Sequence, residues 1–169
     1  MASIIAAVVL GGVGLDAAIA APSAGTVTVG GPVVMTAASG WVLSESTDTT
    51  SGVELRKADA ILTAQVVSSS YVGGSASLLS VERESLDGEV VQIEYGDQRT
   101  TSVNGHDTSY VVFQATVASG GRSGVIDGEL ICMVVEGNAV VIVVAAHQGD
   151  LDPVIDDVTA MLESVRVAP

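Results

Sequence analysis

The chain has 169 residues, of which 48% are apolar, 15% charged and only 3% aromatic. Six Lys and Arg stand against 20 Asp and Glu, a net charge of -14 at pH 7. The apolar share excludes intrinsic disorder, and a surface this acidic repels phosphate backbones, which excludes nucleic acid as a partner.

Residues 1–21 read as a signal peptide or membrane anchor. Residues 3–21, SIIAAVVLGGVGLDAAIAA, carry one charge, Asp16. As a helix they would span about 28 Å, close to the hydrocarbon thickness of a bilayer. Ala18-Ile19-Ala20 places small residues before a cut at Ala21. Left uncleaved, the same segment is an anchor, and Gly11, Gly12 and Gly14 would let another membrane helix approach closely. Signal and anchor both put the rest of the chain outside the cytoplasm, with membrane association through residues 3–21. Val8-Val9-Leu10 followed by Gly11-Gly12-Val13-Gly14 also looks like a nucleotide-binding turn. Pro22 and Gly25 end any following helix within about two turns, however, and residues 26–44 contain no acid for a ribose.

Residues 22–25 form a linker, and residues 26–169 are expected to make one domain, long enough to bury a core without disulfides or metal. Residues 26–29, 33–36 and 40–43 are short extended pieces. Residues 53–55 and 61–67 flank a polar turn, Arg56-Lys57-Ala58-Asp59. Residues 75–86, following Gly73-Gly74, repeat Leu78, Leu79, Glu82 and Leu86 at three- and four-residue steps and predict a helix. Residues 89–95 alternate Val91, Ile93 and Tyr95 with Gln92 and Glu94. Residues 109–117 set Tyr110, Val112, Gln114 and Thr116 against Val111, Phe113, Ala115 and Val117. Gly120-Gly121-Arg122-Ser123-Gly124 reads as a flexible hairpin connection. It is not a phosphate loop, because Val125-Ile126 follows where Lys-Ser or Lys-Thr would be needed. Residues 130–135 and 139–146 flank Glu136-Gly137-Asn138, the strongest hairpin signal in the chain, and runs this apolar belong at the centre of a covered sheet. Asp152 reads as an N-cap with Pro153 at the first helical position. Val154, Val158, Met161, Leu162 and Val165 then mark the apolar face of a last helix, which should close one side of the sheet. The predicted fold class is α+β: a twisted antiparallel β-sheet with two helices packed on it, preceded by the N-terminal signal or transmembrane helix.

Groups able to do chemistry are sparse. The only cysteine, Cys132, lies in the run Leu130-Ile131-Cys132-Met133 with no cation beside it, and reads as a small buried hydrophobe. His106 sits in a polar turn beside Asp107 and Ser109, the elements of a triad. Neighbours on an extended chain point apart, though, and a nucleophile elbow is absent. His147 could join Asp150 and Asp152 at a metal, but Asp residues before a helix are usually loop and cap chemistry. Glu82 and Glu84, or Asp156 and Asp157, diverge and specify no carboxylate pair. No catalytic, cofactor-binding or metal residue is therefore assigned, no cofactor is expected, and the chain is expected not to be an enzyme.

Gly40-Trp41 after the first strands, the long antiparallel meander, and the terminal helix Val154-Ile155-Asp156-Asp157-Val158-Thr159-Ala160-Met161-Leu162-Glu163-Ser164-Val165-Arg166-Val167 resemble the small actinobacterial envelope proteins of the PsbP/Mog1-like superfamily. The resemblance covers residues 26–167. It implies a non-enzymatic accessory or binding protein, exported or tethered outside the membrane, whose partner is a membrane protein complex or an envelope lipid. The alternatives are an exported hydrolase using His106, and a structural subunit of a membrane assembly.

Overall fold

Every residue from Asn138 through Ala146 is buried, so the strand they form sits at the middle of the molecule, as its unbroken apolar run requires. The computed structural model describes residues 25–44, 52–119 and 121–169. The signal or anchor reading of residues 1–21 lies outside the described residues, as does the linker up to residue 24. Among the described residues no helix is long and apolar enough to cross a membrane.

The elements in chain order are β1 (Thr26–Gly30), β2 (Val33–Thr36), β3 (Val42–Leu43), β4 (Val53–Lys57), β5 (Ala60–Ser68), α1 (Ser75–Asp87), β6 (Gln92–Tyr95), β7 (Arg99–Val103), β8 (His106–Ser119), β9 (Arg122–Val135), β10 (Asn138–His147), α2 (Ile155–Glu163) and β11 (Arg166–Val167). The large antiparallel sheet runs β3-β4-β5-β10-β9-β8-β6, with β7 sharing the β6 edge of β8. A second, small sheet runs β1-β2-β11. The fold is thus α+β, an antiparallel sheet with two helices, as the pattern of elements predicts.

Strand alternation divides the core between two faces. The α1 face buries Val111, Phe113, Ala115 and Val117 of β8 with Leu130 and Cys132 of β9, against Leu78, Leu79 and Leu86 of the helix. The opposite face buries Leu55, Leu62, Ile131, Met133 and Ile142 beneath Trp41, the small sheet, and Val154, Val158, Met161 and Val165. Leu162, expected on the same apolar stripe, is only half-buried at its margin. Just beyond it, Ser164 Oγ accepts the Thr36 N–H at 2.8 Å, which ties the end of the helix to β2.

Several boundaries differ from the sequence reading. The β9–β10 turn is the two residues Glu136 and Gly137, at φ 49° and 80°, the positive pair that a tight hairpin twist demands. Asn138 instead opens β10 and donates its Nδ2 to the Val135 carbonyl at 3.0 Å. Arg56 and Lys57 belong to β4, so the β4–β5 turn shrinks to Ala58 and Asp59. β9 already begins at Arg122, inside the stretch read as a flexible connection. Asp152 makes no side-chain cap; Asp152–Val154 forms a 3-10 turn, and the α-helix starts at Ile155. Pro153 suits the narrow entry to that turn equally well, since it lacks a donor there.

Candidate functional site

The β7–β8 hairpin decides the fate of the triad reading. Its turn is Asn104-Gly105, at φ 50° and 83°, and His106 is the first residue of β8, opposite Val103. Val103 packs on the small-sheet face, so alternation puts His106 on that side and Asp107 and Ser109 on the α1 side. There the last two are already engaged. Asp107 Oδ2 accepts the Ser75 N–H at 2.7 Å, satisfying a free donor of the first turn of α1. Ser109 Oγ lies 2.8 Å from Ser75 Oγ and 2.8 Å from Thr100 Oγ1, a hydroxyl chain that joins α1 to β7 and β8. The three groups adjacent in sequence do not converge.

The other sequence candidates are likewise placed apart. His147 pairs with Ile126, on the α1 face, whereas Asp152 lines a cleft on the opposite face. Among the described residues no group of three His, Cys, Asp or Glu side chains is positioned to hold a metal ion. Cys132 is buried, and burial, with Glu82 adding its charge, pushes its thiol pKa up. Such a thiol is a poor nucleophile.

A concave surface lies elsewhere. The small sheet and α2 cover β4, β5, β10 and the ends of β8 and β9 nearest the β7–β8 hairpin. Among the described residues they leave bare the far parts of β8 and β9 together with β6. A cleft of about 480 Å³ opens there, with Val112, Gln114 and Asp127 as floor. Glu94, Tyr95 and Gly96 form one wall, and Gly149, Leu151 and Asp152 the other. Asp127 fixes the second wall: its Oδ2 accepts the Gly149 N–H at 2.8 Å, and its Oδ1 accepts Gln114 Nε2 at 2.8 Å. Glu129, two residues on along β9, faces the same side between Val112 and Val144. Burial alone raises its carboxyl pKa.

On the reverse side of this half-sheet, Phe113 braces the floor. Its ring lies over Gly128, where an added Cβ would come within 2.2 Å of the ring. Tyr95 meets Phe113 edge-on at 6.4 Å, and the Arg83 guanidinium covers the Tyr95 ring at 4.2 Å. The Tyr95 hydroxyl donates to Asp87 at 2.8 Å, and burial, reinforced by that carboxylate, pushes its pKa up. The cleft floor is therefore rigidly backed by α1.

Sequence reasoning missed this site because Glu94, Asp127 and Asp152 come from three separate segments. One signal was present. Val112 is the single aliphatic residue in the alternating set Val112, Gln114, Thr116, and it is 50% exposed.

No family model matches the sequence, and no curated protein matches it. Solved structures do. Cyanobacterial PsbP from Synechocystis is similar over 90% of this chain and 98% of its own, with TM-score 0.53 and 11% identity. LpqN of Mycobacterium tuberculosis, described as involved in cell envelope biogenesis, is similar over 85% and 90%, with TM-score 0.50 and 13% identity. A Bacteroides thetaiotaomicron structure aligns over 87% of this chain and 50% of its own, with TM-score 0.55 and 12% identity. At these identities the likeness is one of fold, shared with cyanobacterial PsbP and LpqN, and it carries no residue roles.

Proposed function

We propose that this chain is a non-enzymatic extracytoplasmic accessory or binding domain, tethered to or exported across the membrane through residues 1–21 and serving a membrane protein complex or envelope-lipid export. The observation that carries the reading is the division of labour within the large sheet. Asp107 and Ser109, the side chains most suggestive of catalysis, are committed to the start of α1. The cleft between β6 and the β10–α2 loop is lined by carboxylates and aliphatic groups, a surface suited to recognition. The apolar composition of residues 3–21 supports export or anchoring, and the shared fold with an envelope-biogenesis protein supports the same compartment.

The test is fractionation of the native host with mass spectrometry of the mature N-terminus. The chain is expected outside the cytoplasm, beginning at Ala21 if cleaved or retained in the membrane if not. A full-length chain soluble in the cytoplasm would overturn the proposal. His106→Ala is expected to leave function intact; loss of a measured activity with the fold preserved would favour the hydrolase alternative.

A further inference from the structure

The uncovered strip beside the cleft has the dimensions of one helix. It is three strands wide, β9, β8 and β6, which at two inter-strand spacings is about 10 Å. A helix with its side chains is about 10–12 Å across. Along the strands the strip covers residues 112–116 of β8 against residues 125–129 of β9, about 16 Å, or roughly 11 residues of helix. The rest of the sheet shows the same solution twice: α1 lies on the reverse face, and α2 helps cover the neighbouring half of this one.

The chemistry of the strip restricts its occupant. Val112 and Val125 are 50% and 37% exposed on it, at opposite ends of the strip with the hydrogen-bonded Gln114–Asp127 pair between them. Glu94, Asp127 and Asp152 line the cleft, and among the described residues no Lys or Arg does. Glu129 lies beside them, and the ion pairs Arg56–Glu54 and Lys57–Asp157 belong to β4 and α2. Four carboxylates beside these two valines disfavour an acidic or anionic occupant and a second copy of this chain, whose own charge is -14.

We infer that the groove between β6 and the β10–α2 loop docks a basic amphipathic helix of a protein partner, with aliphatic residues over Val112 and Val125 and Lys or Arg toward Glu94, Asp127, Glu129 and Asp152. The inference rests on the binding-domain reading above and names the kind of partner it would serve. Docking places a cation beside Glu129, so its raised pKa falls in the complex.

Calorimetric titration of the full chain with a synthetic Leu/Lys amphipathic helical peptide, and with a twin carrying Glu for Lys, tests this. One-to-one binding of the basic peptide is expected, weakening about tenfold or more between about 50 and 300 mM salt, with no binding of the acidic twin. Val112→Lys folds, because the site is exposed, and should abolish binding. Glu94→Gln with Glu129→Gln should weaken it at least about fivefold. Glu84→Gln, on exposed α1 surface behind the sheet, should leave it unchanged. Equal binding of both peptides, or binding indifferent to Val112→Lys, would overturn the inference. So would self-association, or uptake of phosphatidylcholine vesicles, lost in Val112→Lys while the peptide fails to bind. Failure of the peptide with the native chain still extracytoplasmic defeats this inference alone; a cytoplasmic chain that binds the peptide defeats only the compartment.

Discussion

The indole N–H of Trp41 donates to Asp157 Oδ2 at 3.0 Å across 116 residues of sequence. The same carboxylate oxygen takes the Lys57 ammonium of β4 at 2.5 Å. Trp41 is fully buried, so its donor needs a partner within the protein, and Asp157 of α2 provides it. The Gly-Trp element and the terminal helix, the two motifs that carry the family resemblance, thus meet in one polar contact above the large sheet. Trp41→Phe keeps most of the apolar volume and removes the donor. It should cost about 1.5–3 kcal/mol in denaturant unfolding, the range for a hydrogen bond to a charged group.

Asp157 also gives the acid limb of stability a direction. The Lys57 hydrogen bond holds its carboxyl below the usual range; partial desolvation opposes this and Trp41 adds to it. A depressed folded pKa means that the contribution is present above the unfolded carboxylate value of about 3.9 and is lost as pH falls through the lower folded pKa. Asp157→Asn should therefore flatten the loss of stability at acid pH while lowering stability at neutral pH. An unchanged acid limb in the variant would contradict the pairing.

Glu129 carries the opposite sign. Burial raises its folded pKa, so its charge is a penalty present above that pKa and relieved as pH falls below it. Glu129→Gln should raise the melting temperature at neutral pH, with the gain shrinking toward the acid side. A gain independent of pH would point to packing instead.

Phe113 and Gly128 should be separable by mutation. Phe113→Ala removes a buried ring and its edge contact with Tyr95, at a cost of about 3–5 kcal/mol. Gly128→Ala drives a methyl into the ring, and overpacking of this kind costs about 1–3 kcal/mol. Urea unfolding of the two variants, and of the pair together, checks whether their effects are coupled as contact requires.

Much of this was written in local patterns. Val154, Val158, Met161 and Val165 recur at helical spacing, and that face is buried. Residues 139–146 form an apolar run, and that run is the central strand. Where local pattern carried no signal, the reading failed. β7 is Arg-Thr-Thr-Ser-Val, too polar to show an apolar alternation, and owes its form to pairing with β8. β11 is two residues at the end of a helical motif, recruited by β2. Leu162 fits the helical stripe by spacing, but spacing does not say how far tertiary packing buries it, and it is half-buried. The cleft was illegible for a related reason, since Glu94, Asp127 and Asp152 become neighbours only when β6, β9 and the β10–α2 loop are assembled.

The terminal helix yields a graded series. Met161→Ala should cost about 2–5 kcal/mol, as for other buried aliphatic truncations. Leu162→Ala, half-buried, should cost less, and Glu163→Ala, on the exposed face, should stay within about 0.5 kcal/mol. Thermal unfolding of the three in that order checks the placement of α2; a larger loss at Leu162 than at Met161 would contradict it.

The central claim is that this domain works by binding outside the cytoplasm. Its most direct test is purification of the native full-length chain from cross-linked host membranes, with the attached proteins and lipids identified. The account predicts recovery from the membrane or extracytoplasmic fraction together with a defined membrane protein or envelope lipid, lost in the Val112→Lys variant if the groove is the contact surface and retained if another face is. Recovery of the chain from the cytoplasm, free of membrane components and turning over a small substrate in a His106-dependent manner, would contradict it.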